Sequence, residues 1–134
     1  MYDDAGTCIG IKAEDTVAKG KVVIGDPSYF PDKVQSTSKV IRAIGIMDHG
    51  LPNTGDCPSC QVIIPQGQVN RRNDVYVFCI SESHKVAPGG KWVSFASTTV
   101  EGETEGLTAQ QVAERELADA LKLMNPTVEL FYDM

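Results

Sequence analysis

The sequence predicts an α+β fold: an antiparallel sheet of four to five strands, an N-terminal hairpin, and one long C-terminal amphipathic helix packed on the sheet. Three observations point to it. Residues 62–101 hold three β-rich runs separated by two connections full of Pro, Gly and polar residues, so two hairpins follow one another as a meander. Residues 39–47 add another run rich in β-branched side chains. Residues 108–124 place apolar side chains at 3.6-residue spacing behind a capping signal.

At 134 residues the chain fits a single domain over 1–134, with a hairpin in 1–26, the sheet in 39–100 and the helix in 108–124. Asp3-Asp4-Ala5-Gly6 is a turn signal. Residues 7–13 then read as a short strand with Cys8, Gly10 and Lys12 on one side and Ile9 and Ile11 on the other. After a turn at 14–16, residues 17–25 return as a second strand centred on Val22-Val23-Ile24. Pro27 and Pro31 keep 26–32 irregular, because each fixes its own φ and pushes the preceding residue out of the helical region.

The strand at 39–47 leads into a loop, 49–59, dense in Gly, Pro, Asn and Asp. Strands at 61–64, 74–82 and 91–100 follow, and the four are expected side by side in chain order, each antiparallel to the last. Val62-Ile63-Ile64 stops at Pro65, which has no N–H for a ladder. Beyond the solvated loop 102–106, Thr108 and Gln111 form a capping box. Ala109, Val112, Ala113, Leu117, Ala120, Leu121 and Met124 gather on one helix face, and Glu114, Arg115, Ala118, Asp119 and Lys122 cover the other. Asn125-Pro126 ends the helix, and 128–132 reads as a last short strand.

Two strands are apolar on both faces. Val75, Val77 and Cys79 alternate with Tyr76, Phe78 and Ile80, and Val40, Ile44 and Ile46 alternate with Ile41, Ala43 and Met47. Such strands belong to a sheet covered on both sides. A helix of about 17 residues is roughly 25 Å long and covers much of one face. The second face needs either the N-terminal hairpin or a layer outside this sequence. Left bare, it should make the chain self-associate.

Composition excludes some functions. The net charge of −6 argues against a nucleic-acid surface, which needs a basic stripe. No run reaches the roughly 18 apolar residues of a membrane span, and no secretory signal opens the chain. Cys8 and Cys79 fall inside predicted strands as small buried hydrophobes, which reads as a reducing, cytoplasmic compartment.

Few residues suggest chemistry. Cys57-Pro58-Ser59-Cys60, with His49 and His84, could make a small metal or redox module. The two histidines are far apart in sequence, and the pair precedes a strand rather than opening a helix, so loop cysteines are the default reading. Asn70-Arg71-Arg72 lies in a hairpin connection and reads two ways. It is either a charged contact with a protein partner or a turn in which Asn70 caps the backbone and Arg71 pairs with a carboxylate such as Asp74. His84 and Ser97 lack the companions of a catalytic site, and Trp92 and Phe95 read as core.

The segments Ile63-Ile64-Pro65-Gln66-Gly67-Gln68-Val69-Asn70-Arg71, Asp74-Val75-Tyr76-Val77, Ser81 to Val86 and Ser97-Thr98-Thr99-Val100-Glu101 resemble the Rab GDP-dissociation inhibitors. Gly25-Asp26-Pro27-Ser28-Tyr29, Val40-Ile41-Arg42, Asp48-His49 and Pro52-Asn53-Thr54 agree in the same order, so the likeness runs from about residue 10 to about residue 130. The family's proteins are about three times as long, and the chain resembles an internal or C-terminal fragment of their first, FAD-like domain. The resemblance places 22–26 at the end of a parallel sheet in that domain. It implies a cytoplasmic regulator that binds prenylated, GDP-loaded Rab GTPases, blocks GDP release and recycles them between membrane and cytosol. Such a protein acts by binding, with no catalytic residue, no metal and only an indirect relation to the membrane. On this reading 65–71 and 97–101 are scaffold, with Asn70, Arg71 and Arg72 the candidate partner contacts. The rival is the substrate domain of an FAD-dependent oxidoreductase. No Gly-x-Gly-x-x-Gly loop is present to hold a flavin pyrophosphate, so no cofactor is expected.

Overall fold

The computed structural model describes every residue, Met1–Met134. It divides into two compact units, Met1–Thr37 and Ser38–Met134, where one domain over 1–134 is expected.

In the first unit β1 (Gly10–Ala13) pairs antiparallel with β2 (Thr16–Lys19). Gly10 sits opposite Lys19 at φ 147°, and a Cβ there would run into the Ala18 carbonyl. The expected hairpin is therefore present but shorter. Its last rung is Gly20 N–H to the Ile9 carbonyl at 3.1 Å. Val22-Val23-Ile24 lies beyond the ladder with no partner strand in the unit, and Val22 and Ile24 are exposed. Cys8 makes an isolated bridge with Tyr2 instead of lying inside β1. The two prolines give two single turns, Pro27–Tyr29 and Pro31–Lys33, the first capped by Asp26 Oδ1 accepting from Ser28 N–H at 2.8 Å.

The second unit is a five-stranded antiparallel sheet under a helical layer. Its strands are β3 (Val40–Met47), β4 (Ser59–Ile64), β5 (Val75–Ser81), β6 (Trp92–Thr99) and β7 (Glu129–Asp133), ordered β4-β5-β6-β3-β7. The meander β4-β5-β6 is as expected. β3 does not lie beside β4, however, but on the far side of β6. These two eight-residue strands pair from Val40↔Thr99 to Met47↔Trp92, so both are saturated in the middle of the sheet. The loop between β3 and β4 is long enough to cross over, and the shorter β4, stopped by Pro65, takes an edge. β7 closes the other side of β3.

Residues 109–124 form two segments, α1 (Ala109–Glu116) and α2 (Ala118–Met124), instead of one long helix. Leu117, at φ −114° and ψ 15°, breaks the helical backbone. The ladder nevertheless runs through it, with Leu117 N–H to Ala113 O and Leu121 N–H to Leu117 O both at 2.8 Å. The capping box forms fully: Thr108 Oγ1 accepts from Gln111 N–H, and Gln111 Oε1 accepts from Thr108 N–H at 2.9 Å. Val112, Ala113, Leu117, Ala120 and Met124 are buried against Ile41, Ala43, Met47, Val75, Val77, Cys79 and Ala96. Glycine at 45 lets α2 approach β3, since a Cβ there would lie 3.2 Å from Met124 Cε and 3.3 Å from Pro126 Cβ. Trp92 packs beside this core. Phe95, expected inside it, is on the opposite face, stacked on Phe78 with ring centroids 5.4 Å apart.

Candidate functional site

Asn70, Arg71 and Arg72 lie in the connection between β4 and β5. After Pro65 the chain makes one tight turn, Gln66–Gln68, and Asn70 takes a left-handed φ of 52°, which asparagine tolerates better than most residues. Arg71 N–H then donates to the Gln66 carbonyl at 3.0 Å. Asp74 closes the connection, its Oδ1 accepting from Gln66 N–H at 2.9 Å. Asp74 is thus occupied by the backbone, and the alternative Arg71–Asp74 pair does not form.

Arg71 turns instead toward the helical layer. Its Nη1 lies 2.6 Å from Glu116 Oε2, and its Nη2 is 3.0 Å from the Thr99 carbonyl and 3.5 Å from Glu101 Oε1. The Arg71 side chain is 13% exposed and that of Glu116 only 4%. Arg115 completes the group, with Nε and Nη2 at 3.0 and 2.8 Å from Glu116 Oε1 and Nη1 at 2.9 Å from the Glu103 carbonyl. Two guanidinium groups therefore face two carboxylates, a neutral set in which Arg71 and Glu116 are shielded from water while Arg115 and Glu101 reach the surface. Glu101 accepts from Arg72 N–H at 2.9 Å, Asn73 N–H at 2.8 Å and Asn73 Nδ2 at 3.0 Å. The set ties the β4–β5 connection, the end of β6 and α1 together. Arg115 is therefore not the free surface cation expected of the solvated helix face.

Burial alone would push the Glu116 carboxyl upward. The hydrogen bonds from Arg71 and Arg115 and the Arg71 charge outweigh it and hold the group below its ordinary 4.5. Glu101 behaves alike: burial raises it, while Asn73, the Arg72 and Asn73 N–H groups and the Arg71 charge bring it below 4.5. A carboxyl depressed on folding contributes stability above its unfolded pKa and loses it as pH falls through the folded value. Stability should thus be indifferent to these two groups from pH 7 to about 5 and fall below about 4.5. In Glu116→Gln that acid-side loss should shrink, as read by thermal melts across the range.

Asn70 and Arg72, on either side of Arg71, are exposed. Arg72 borders a shallow cleft of about 420 Å³ on the open face of the sheet, lined also by Gln66, Asn73, Tyr76, Ser97 and Thr99.

The cysteine motif gains no companions. Cys57 donates its S–H to the Ser59 carbonyl at 3.1 Å, and Cys60 sits opposite Cys79 in the β4–β5 ladder. Burial pushes both the Cys60 and the Cys79 thiols upward, away from reactive thiolate. His49 bonds to the carbonyls of Gly50 and Asn125 at 2.6 and 3.1 Å, clipping its loop to the end of α2. No group of three or more His, Cys, Asp or Glu side chains is placed to hold a metal ion. No helix is long and apolar enough to cross a membrane.

Comparison with known proteins gives one answer throughout. A family model described as GDP dissociation inhibitor matches residues 1–134. The guanosine nucleotide diphosphate dissociation inhibitor 2 of Arabidopsis thaliana is 45% identical over 133 residues, covering 99% of this chain and 28% of that protein. The probable secretory pathway GDP dissociation inhibitor 1 of Schizosaccharomyces pombe is 46% identical over 131 residues, covering 98% of this chain and 28% of that protein. The crystal structure of a Rab GDI from Plasmodium falciparum superposes with a TM-score of 0.78 at 34% identity, over 99% of this chain and 29% of that one. The chain thus spans little more than a quarter of the length of the relatives it matches. With sequence and fold agreeing over nearly the whole chain, the chain belongs to the GDP dissociation inhibitor family.

Proposed function

We propose that this chain is a scaffold segment of a cytoplasmic Rab GDP-dissociation inhibitor. The full-length protein would bind prenylated Rab GTPases in the GDP form, retard GDP release and carry them between membrane and cytosol. The observation behind this is the match of residues 1–134 to the family, together with a Rab GDI as structural neighbour. Action by binding, without catalysis, fits the site: its charged side chains are mutually neutralised and hold secondary structure together. Within the segment, Asn70 and Arg72 are the side chains offered to a partner, and Arg71 is the anchor that presents them.

A chimera tests the reading. This chain replaces the corresponding segment of the Schizosaccharomyces pombe relative, and release of a fluorescent GDP analogue from a prenylated Rab is followed. The chimera should slow release as its parent does. A folded chimera that leaves release at its spontaneous rate would rule the segment out as a working part of such an inhibitor.

A further inference from the structure

The register of the β4–β5 ladder puts two thiols face to face. Cys60 and Cys79 are directly opposite one another, on the side of the sheet that α1 and α2 cover. Cys79 is wholly buried in the core, and Cys60 is half-buried against it. Ser81 N–H donates to the Pro58 carbonyl at 2.8 Å, which makes residues 58 and 81 a hydrogen-bonded pair. Pair types alternate along an antiparallel ladder, so Cys60 and Cys79, two residues further on, form a pair of the same type. Such a pair holds its Cα atoms about 5.5 Å apart, at the commonest separation found for a disulfide. Opposite residues also point to one face with Cβ atoms about 4.5–5.5 Å apart, so closing the bond takes about 1 Å of movement. Cys60 is the second residue of β4, and the strand end can supply that shift. Burial first, and the Cys60 sulfur second, push the Cys79 thiol upward, which agrees with two neighbouring sulfurs.

We propose that Cys60 and Cys79 are a modification site: hydrogen peroxide joins them in a reversible disulfide that latches β4 to β5 beneath the helical layer. The less buried Cys60 meets the oxidant. Its thiolate attacks one peroxide oxygen, an S–O bond forms, the O–O bond breaks, and water leaves a sulfenic acid behind. The Cys79 sulfur then attacks the Cys60 sulfur. An S–S bond forms, the S–O bond breaks, and the hydroxyl departs as water with the Cys79 proton. Two thiols are oxidised by two electrons, and one peroxide is reduced to two waters.

The surroundings define the behaviour of the latch. Both thiols titrate high because they are buried, so the bond forms slowly and the pair is no catalytic redox centre. The same burial protects the bond once made. A glutathione-type thiolate reaches only the Cys60 sulfur, and Cys79, with its raised pKa, is a slow leaving group. The closed loop spans residues 61–78 and so contains Asn70, Arg71 and Arg72. Tying its ends restricts the unfolded chain more than the folded one and raises stability. Cys57, whose S–H is engaged by the Ser59 carbonyl, stays outside the latch.

Peptide mapping of the 134-residue chain tests this. The reduced chain is treated with hydrogen peroxide near neutral pH, alkylated in denaturant and digested with trypsin without reduction. Cleavage after Arg71 and Arg72 separates the two cysteines unless they are bonded. The expected product is an intramolecular link between the Cys60 and Cys79 peptides, formed equally in Cys57→Ser and absent in Cys60→Ser. The oxidised chain should keep its far-ultraviolet circular dichroism spectrum and melt at least about 5 °C higher, a gain that dithiothreitol removes. A Cys57–Cys79 or Cys8 link as the main product overturns the proposal. So does oxidation that stops at the sulfenic or sulfinic acid of Cys60, or a linked chain that melts no higher than the reduced one. The map of the unmutated chain and of Cys57→Ser decides the matter even where Cys60→Ser fails to fold. None of these outcomes bears on the nucleotide-release assay of the chimera.

Discussion

Leu117→Asp should unfold the 38–134 unit at room temperature or bring it close to doing so. Leu117 is buried at the junction of α1 and α2, among Val112, Ala113, Ala120 and the apolar face of the sheet. Aspartate there removes a large apolar side chain and buries a carboxylate with no cation assigned to it, a loss of several kcal/mol against a typical total of about 5–15. The matched control is Lys122→Ala, on the exposed side of α2, which should change stability by no more than about 0.5 kcal/mol. Arg115 does not serve as that control, because it is bonded to Glu116 and the Glu103 carbonyl. Urea unfolding followed by far-ultraviolet circular dichroism separates the two mutants. Equal midpoints would mean that the helices do not dock as described.

Glu116→Ala is the second large effect, and its size depends on what is left behind. The substitution strands Arg71 in a poorly hydrated place and takes a partner from Arg115. Breaking one side of a buried pair costs about 3–5 kcal/mol. Arg71 retains the Thr99 carbonyl and Glu101, so the lower part of that range applies. Arg71→Met with Glu116→Leu should recover much of the loss, because removing both charges together leaves neither unpaired. A double mutant as unstable as the sum of its single mutants would show that the two residues act separately.

This network also shows where sequence reading reaches its limit. Glu116 stands on the apolar side of the helix, in step with Val112, Ala113 and Ala120. A carboxylate in that stripe signals a buried cation elsewhere. Which cation it meets depends on tertiary contact between 71 and 116, and spacing alone does not encode that. The nearer Asp74 looks the better partner for Arg71 until Gln66 N–H is seen to occupy it. Strand order was hidden for a similar reason: local turns make the β4-β5-β6 meander legible, while the place of β3 is decided by pairing with a strand about fifty residues away. The capping box, the apolar helix stripe and the two-sided apolar strands were legible, because each is a local period or signal. The break at Leu117 carries no glycine or proline, so no residue announced it. Cysteine spacing, the most conspicuous motif, gave no hint that Cys60 would face Cys79 across the β4–β5 ladder.

The reading of this chain as scaffold is tested most directly by membrane extraction. Liposomes carrying a GDP-loaded, prenylated Rab are incubated with the isolated 134-residue chain, and Rab in the supernatant is measured after sedimentation. Transferring a lipid chain out of a bilayer needs a pocket that replaces about 0.8 kcal/mol for each CH₂. In this chain the buried faces of α1 and α2 are occupied by the sheet, leaving no helical groove to receive a lipid. The predicted result is no Rab in the supernatant above the protein-free control, while a full-length relative releases it. Release of prenylated Rab by the isolated chain would contradict the account, placing lipid and GTPase contacts within these residues.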